Sequence, residues 1–158
     1  MRTTYRGEID APIERVFDLV ERPDYRRRWL EGVEETTLLA DDWSRATGAV
    51  FRQRVRDGRR TAELAGQITA YEHPNHLGIL IGNRAFAMQV DYWLTSMGRR
   101  TRLEYTTELI SGCALVRLAE RAFHRLTRRI LARQMRRLKL LAESTLGDGR
   151  LAGRTFAR

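Results

Sequence analysis

Residues 10–36 read DAPIERVFDLVERPDYRRRWLEGVEET, and two prolines divide the stretch. Asp10 is a good helix N-cap, with Pro12 near the first helical position and Glu14 in the first turn. Ile13, Val16, Phe17 and Val20 follow at helical spacing, so this segment has one apolar face. Pro23 ends it, because proline cannot continue the hydrogen-bond ladder. A second short helix is expected over Asp24–Leu30, with Tyr25 and Trp29 four apart on one side, Arg26 to Arg28 facing water, and Gly32 as its stop. Two short helices so early in a chain must close over something.

The flanking sequence supplies it. Thr3–Ile9 reads as a short strand before the helices. From Val33 the apolar period becomes two, first over Val33–Leu39, and Asp41-Asp42 then makes a turn. Ala49, Phe51, Gln53 and Val55 alternate with Arg52, Arg54 and Arg56. Asp57-Gly58 is a hairpin signal, and the return strand carries Ala62, Leu64, Gly66, Ile68 and Ala70 on one face. After the His73-Pro74-Asn75 turn come Leu77–Ile81, then Phe86, Met88, Val90, Tyr92 and Leu94, then Leu103, Tyr105, Thr107 and Leu109. Such short turns join only antiparallel neighbours. The expectation is a meander with one apolar face and one charged face, on which Arg52, Arg54 and Arg56 meet Glu63, Glu104 and Glu108.

About thirty residues of helix follow Ser111-Gly112. An apolar row of Leu118, Ala122, Leu126, Ile130 and Leu138, flanked by Leu115, Ala119, Phe123 and Leu141, suits a helix lying across the dry face. The segment also holds most of the charge. Between Ala114 and Glu143 stand nine basic residues against two acidic ones, +7 of the chain's +9. Arg117, Arg121, Arg125, Arg129, Arg133 and Arg137 repeat every four residues, and that row winds around the helix because four residues overshoot a turn. From Gly147 the sequence has no period and reads as a flexible tail over 147–158.

At 158 residues, 42% apolar and 31% charged, the composition is that of one globular domain. No run reaches the roughly 18 apolar residues of a membrane span. The first residues lack the apolar core of a signal peptide, so a cytoplasmic location is the default expectation. The lone Cys113 excludes an internal disulfide. Only Lys139 among the 29 basic residues is lysine, a skew for which codon bias is the plainest reading.

The pattern Ala-Pro-x-x-x-Val-Phe followed by Pro-x-Tyr-x-x-x-Trp, with RLKLLAE closing the last helix, resembles the START-like (SRPBCC) superfamily. That superfamily includes polyketide cyclase/dehydrase-like proteins, coenzyme Q-binding proteins, lipid-transfer domains and the birch-pollen allergen family. The resemblance covers residues 1–146. It implies an α+β helix-grip fold: a curved antiparallel sheet of six to seven strands wrapped around a long C-terminal helix, with two short helices between strands 1 and 2. It also implies an internal cavity for an apolar ligand between sheet and helix: a polyketide, quinone, lipid or sterol. The pattern specifies no single activity, since fold does not settle function.

The cavity is also expected on physical grounds, because a curved sheet and a straight helix cannot touch along their whole length. Its expected lining is Phe17, Tyr25, Trp29, Phe51, Gln53, Leu64, Gly66, Ile68, Met88, Val90, Tyr92, Tyr105, Thr107, Ala119, Ala122, Phe123 and Leu126, with Tyr25 and Trp29 near the mouth. Ala62, Gly66, Ala70, Ala119 and Ala122 are small residues that leave room. Gln53, Tyr92, Tyr105 and Thr107 either orient a ligand's oxygens or bond one another.

No catalytic residue is assigned. His73 and His76 flank a turn without a ligand cluster, His124 lies among arginines, and Cys113 reads as a small buried thiol. No metal or cofactor is expected. Passive binding therefore ranks above a cyclase- or aromatase-like reaction. The alternative is an interaction protein whose Arg121, Arg125 and Arg128 contact RNA, a ribosome or an anionic membrane. It ranks lower, because exposed aromatics do not interleave with the basic residues. No DNA contact is expected, and the chain is expected as a monomer or homodimer.

Overall fold

The computed structural model describes residues 2–39, 47–112 and 120–144, with only the main chain at 57, 112 and 120–127. Its strands are β1 (Arg2–Ile9), β2 (Val33–Leu38), β3 (Val50–Asp57), β4 (Arg60–Glu72), β5 (His76–Gly82), β6 (Phe86–Met97) and β7 (Arg100–Gly112). They form one antiparallel sheet in the order β1-β7-β6-β5-β4-β3-β2. From β2 to β7 each strand lies beside the next in the sheet. β1 then pairs with β7, Tyr5 opposite Tyr105, so the first two strands stand at opposite edges.

That placement explains the broken helix pair. Helices α1 (Ile13–Glu21) and α2 (Pro23–Trp29) carry the chain from one edge to the other. Seven strands would span about 29 Å if flat. The nine residues of α1 and seven of α2 rise together about 24 Å. The connection suits a sheet whose edges curl toward each other. Register shifts at Val33/Glu35, Ile68/Ala70 and Ala87/Met88 mark bulges, which bend strands and deepen twist.

Local details correct several expectations. The residue capping α1 is Pro12, which offers no side-chain hydrogen bond, and the main-chain N–H of Asp10 instead donates to Glu143 Oε1 at 3.0 Å. Pro23 does not only stop α1; it opens α2, with the extended Arg22 as the joint between them. Trp29 does not stand at a mouth. It is fully buried, and its indole N–H donates to the carbonyl of Leu19 at 2.8 Å, one of the last-turn carbonyls that α1 itself cannot satisfy. Arg27 and Arg28 face water, but Arg26 is only 4% exposed, because it lies three residues before Trp29 on the same face of α2.

Helix α3 (Glu120–Ser144) lies against β1, α1 and α2. Its buried row is Leu131, Met135, Leu138 and Ala142, whereas Ile130 is half-buried. Steps of four, three and four hold one face, while the strict four-residue row drifts off it. Lys139 Nζ donates to the carbonyl of Glu8 at 3.0 Å and ties α3 to the β1 edge. Of the arginine row, Arg133 pairs with Glu31, just ahead of edge strand β2, at 3.5 Å, and Arg129 and Arg137 are exposed.

On the charged face, the partners are not those expected for β3. Arg54 pairs with Glu34 and Glu35 and Arg56 with Glu34, across from β2 rather than β4, while Glu104 pairs with Arg6. Ala62 is exposed because it faces Val55 near the β3–β4 turn, beyond the helices' cover, and Ala70 is half-buried after a bulge. The Asp41-Asp42 turn, Cys113, Leu115, Leu118, Ala119 and the 147–158 tail lie outside the described residues, as do the side chains of Arg121, Ala122, Phe123, His124, Arg125 and Leu126. Among the described residues no helix is long and apolar enough to cross a membrane.

Candidate functional site

Strand alternation and register assemble one wall on the helix-facing side of the sheet. Phe51 stands opposite Gly66, Gln53 opposite Leu64, Val90 opposite Thr107 and Tyr92 opposite Tyr105. β5 completes the wall with Ile79 opposite Val90 and Ile81 opposite Met88. Those two isoleucines were missed as lining residues, because LGILIG is an apolar run without alternation. Leu64, Met88 and Tyr105 remain partly exposed although they sit on this inner face, while Phe51, Gln53, Ile68 and Tyr92 are buried.

Not every expected lining residue joins this wall in the same way. Phe17 is fully buried and packs edge-on against Tyr71 (5.7 Å between ring centres) and His73 (4.8 Å), as core. Tyr25 is half-buried and surrounded by the guanidinium groups of Arg22, Arg28 and Arg15 at 4.9, 5.6 and 5.8 Å from its ring. The room that Gly66 leaves is taken by the Phe51 ring. Trp29, Tyr92 and Tyr105 form an edge-to-face series, with ring centres 6.2 and 5.0 Å apart.

Arg26 is the residue that sequence reading placed wrongly and that changes the chemistry. From α2 its guanidinium carbon reaches 5.8 Å from the Phe51 ring centre. Its Nε and Nη1 are buried without a hydrogen-bond partner among the described residues. Each unmet buried donor costs about 1–3 kcal/mol. A desolvated cation–π contact returns about 2 kcal/mol. An acceptor oxygen at that place, from a water or another group, would offset the imbalance. The signal was available in the sequence, since Arg26 and Trp29 share a helix face, but it was hidden inside a run of three arginines.

The charge of Arg26 reaches the phenols of the buried Tyr92 and the half-buried Tyr105. Burial raises the pKa of Tyr92 above the ordinary value near 10, and Arg26 opposes that rise. Burial also pushes Tyr105 well up, reinforced by Tyr92 and opposed by Arg26 and by a hydrogen bond with Thr107. Both hydroxyls are thus neutral at physiological pH. They can donate to an oxygen and are poor proton acceptors. Thr107 also points its hydroxyl at the Met88 sulfur, 4.0 Å away.

The opposite face of the sheet holds different features. His76 Nε2 lies 2.8 Å from Asp91 Oδ1 and the ring stacks on Trp93 at 3.5 Å. At the other end of β5, Ala65, Gly82 and Ala87 stand side by side across three strands and floor an open depression of about 410 Å³. Among the described residues Gln67 and Asn83 are its polar lining side chains.

The sequence profile of the family described as polyketide cyclase / dehydrase and lipid transport matches residues 1–143. Comparison with curated proteins found no match. Solved structures share the fold at low identity. A protein of Thermus thermophilus superposes with TM-score 0.73 at 14% identity, over 92% of this chain and 99% of that one. The Zhui aromatase/cyclase of Streptomyces sp. R1128 gives 0.73 at 12%, over 92% and 95%. The di-domain aromatase/cyclase StfQ of the steffimycin biosynthetic pathway gives 0.68 at 16%, over 89% of this chain and 44% of that one.

Proposed function

Because the chain belongs to the polyketide cyclase/dehydrase and lipid transport family, we propose that it binds an apolar small molecule between the inner face of the sheet and α3. The observation that carries this reading is the residual exposure of Leu64, Met88 and Tyr105 on a wall otherwise buried and apolar. A filled core would leave them no exposure. Gln53, Tyr92, Tyr105 and Thr107 are the polar groups that fix a ligand's orientation there. The aromatase/cyclase relatives in fold make aromatic polyketides the first ligand class to try, followed by lipids and quinones. Binding without catalysis ranks first, since two phenols held neutral supply donors but no general base. Native mass spectrometry of the purified protein tests this reading directly. A co-purified apolar molecule, or saturable and displaceable binding of a fluorescent lipid or hydrophobic dye, supports it; failure of all of these rejects it.

A second reading rests on the exposure of Arg128, Arg129, Arg136 and Arg137 along α3. Such a helix attracts RNA or an anionic membrane, with affinity that falls steeply as salt rises. Changing Arg121, Arg125 and Arg128 to glutamine removes that affinity if α3 is the contact, and unchanged binding to RNA or anionic vesicles rules it out.

A further inference from the structure

We infer that the ligand of the inner site is an apolar acid whose carboxylate is received by Arg26. This rests on the cavity reading above and narrows it. Arg26 is a permanent cation, only 4% exposed, with two donor nitrogens unmet among the described residues. A guanidinium that served the fold would be paired. Ion pairs are plentiful among the exposed arginines of this chain: Arg6, Arg54, Arg56, Arg100, Arg102 and Arg133 all have a carboxylate partner. Arg15 on the half-buried flank of α1 also has its Nε unanswered, but among the described residues Arg26 is the buried arginine, with both Nε and Nη1 unanswered above the apolar ring of Phe51.

A hydrocarbon would leave those donors unmet, and a neutral hydroxyl or carbonyl would answer a donor but leave the buried charge without a counter-charge. A ligand carboxylate meets both needs at once, charge and hydrogen bonds. A carboxylate is ionised at neutral pH and its planar pair of oxygens matches the guanidinium fork, whereas a phenol of ordinary acidity stays protonated. Tyr92 and Tyr105 lie within reach of the same charge and remain protonated, so they add O–H donors beside Arg26 rather than a competing negative charge.

The test uses the full chain and a matched pair of fluorescent probes, cis-parinaric acid and its methyl ester, with Arg26→Met and Arg26→Lys. Wild type binds the acid at least tenfold more tightly than the ester. Arg26→Met brings the acid down to the ester's affinity and leaves the ester's unchanged, and Arg26→Lys keeps part of the preference. The ligand-free melting temperature of Arg26→Met stays level or rises, because the two unmet donors that go outweigh the lost cation–π contact with Phe51. Equal affinities for acid and ester in wild type overturn the carboxylate assignment and leave the cavity reading standing. A sharp fall in melting temperature or loss of the folded circular dichroism spectrum in Arg26→Met shows a structural arginine and also overturns it. Absence of saturable binding of both probes overturns this inference, and it rejects the cavity reading as well when no apolar molecule co-purifies and no hydrophobic dye binds.

Discussion

The ring of Phe51 occupies the place that a side chain at Gly66 would need. A Cβ on Gly66 would fall inside the van der Waals shells of Phe51 Cζ, Cε1 and Cε2. The two residues face each other across β3 and β4, and the ring is fully buried. Gly66→Ala is therefore an overpacking change, expected to cost about 1–3 kcal/mol. Urea unfolding should show it, with a melting temperature several degrees lower. Phe51→Leu should relieve the clash, so the double variant is less destabilised than the sum of the two; strict additivity would contradict the contact.

Trp29 is the bolt between α1 and α2. Its indole N–H satisfies the Leu19 carbonyl at the end of α1, and its rings fill the space beside Tyr92. Trp29→Phe leaves that carbonyl unpaired and opens a void, at a combined cost of about 2–4 kcal/mol. Chemical denaturation followed by circular dichroism measures it, and a loss below about 1 kcal/mol would mean that the bond carries little.

The edge of the sheet offers a pH signature. Arg6 Nε donates to Glu104 Oε2 at 2.8 Å, opposite across β1 and β7. The hydrogen bond and charge of Arg6 hold the Glu104 carboxyl below its ordinary range, and Glu104 raises Arg6 in turn. A carboxyl lowered in the fold adds stability above its unfolded pKa and loses it as pH falls through the folded value. Glu104→Gln should thus lower the urea midpoint slightly at pH 7 and not at all near pH 2. Both partners are solvent-exposed, so the difference should shrink in high salt.

What could be read from residues alone followed periodicity. The meander, the two short helices and the long helix all have clear periods or breakers, and the structure places them as expected. Residues whose position depends on phase within a short or drifting helix were less legible. On seven residues, Tyr25, Arg26 and Trp29 all qualify for one face, and only packing against the sheet decides that Arg26 and Trp29 go in. The i, i+4 row on α3 drifted off the buried stripe for the same geometric reason. Small size was also a poor guide to empty space. Gly66 is small because Phe51 is large, and Ala62 is small at a strand end where nothing packs. Ion pairs across β3 were ambiguous, since Arg54 faces Glu63 on one side and Glu35 on the other.

Tyr92 and Tyr105 predict alkaline behaviour. Both phenols have folded pKa values raised by burial. A raised value means that their contribution is fully present below the unfolded phenol pKa near 10 and is lost as pH climbs from there toward the folded value. Tyr105→Phe and Tyr92→Phe should each move the midpoint of alkaline unfolding to higher pH, because the ionisation that draws the chain open is gone. Absorbance at 295 nm should show the wild-type pair ionising only as the protein unfolds. Ionisation of either at ordinary pH in the folded protein would contradict their burial.

The arginine row of α3 gives a final prediction in which charge alone changes. Arg129 is exposed, and its neighbours four residues away in both directions, Arg125 and Arg133, carry the same charge. Arg129→Glu removes two repulsions and adds two attractions, four terms of about 0.2–0.5 kcal/mol each, for a gain of roughly 0.8–2 kcal/mol at low salt. Arg137→Glu has only Arg133 at that spacing and sits near the helix C-terminus, where the macrodipole disfavours a negative charge, so its gain should be smaller or absent. Urea midpoints at low salt should rank Arg129→Glu above wild type and Arg137→Glu between or level, and 1 M salt should collapse the order. Parinaric acid binding at the inner site should not change in either variant. A fall in that binding with Arg129→Glu would show that the outer charge of α3 reaches the ligand, and would make the helix part of the site rather than its cover.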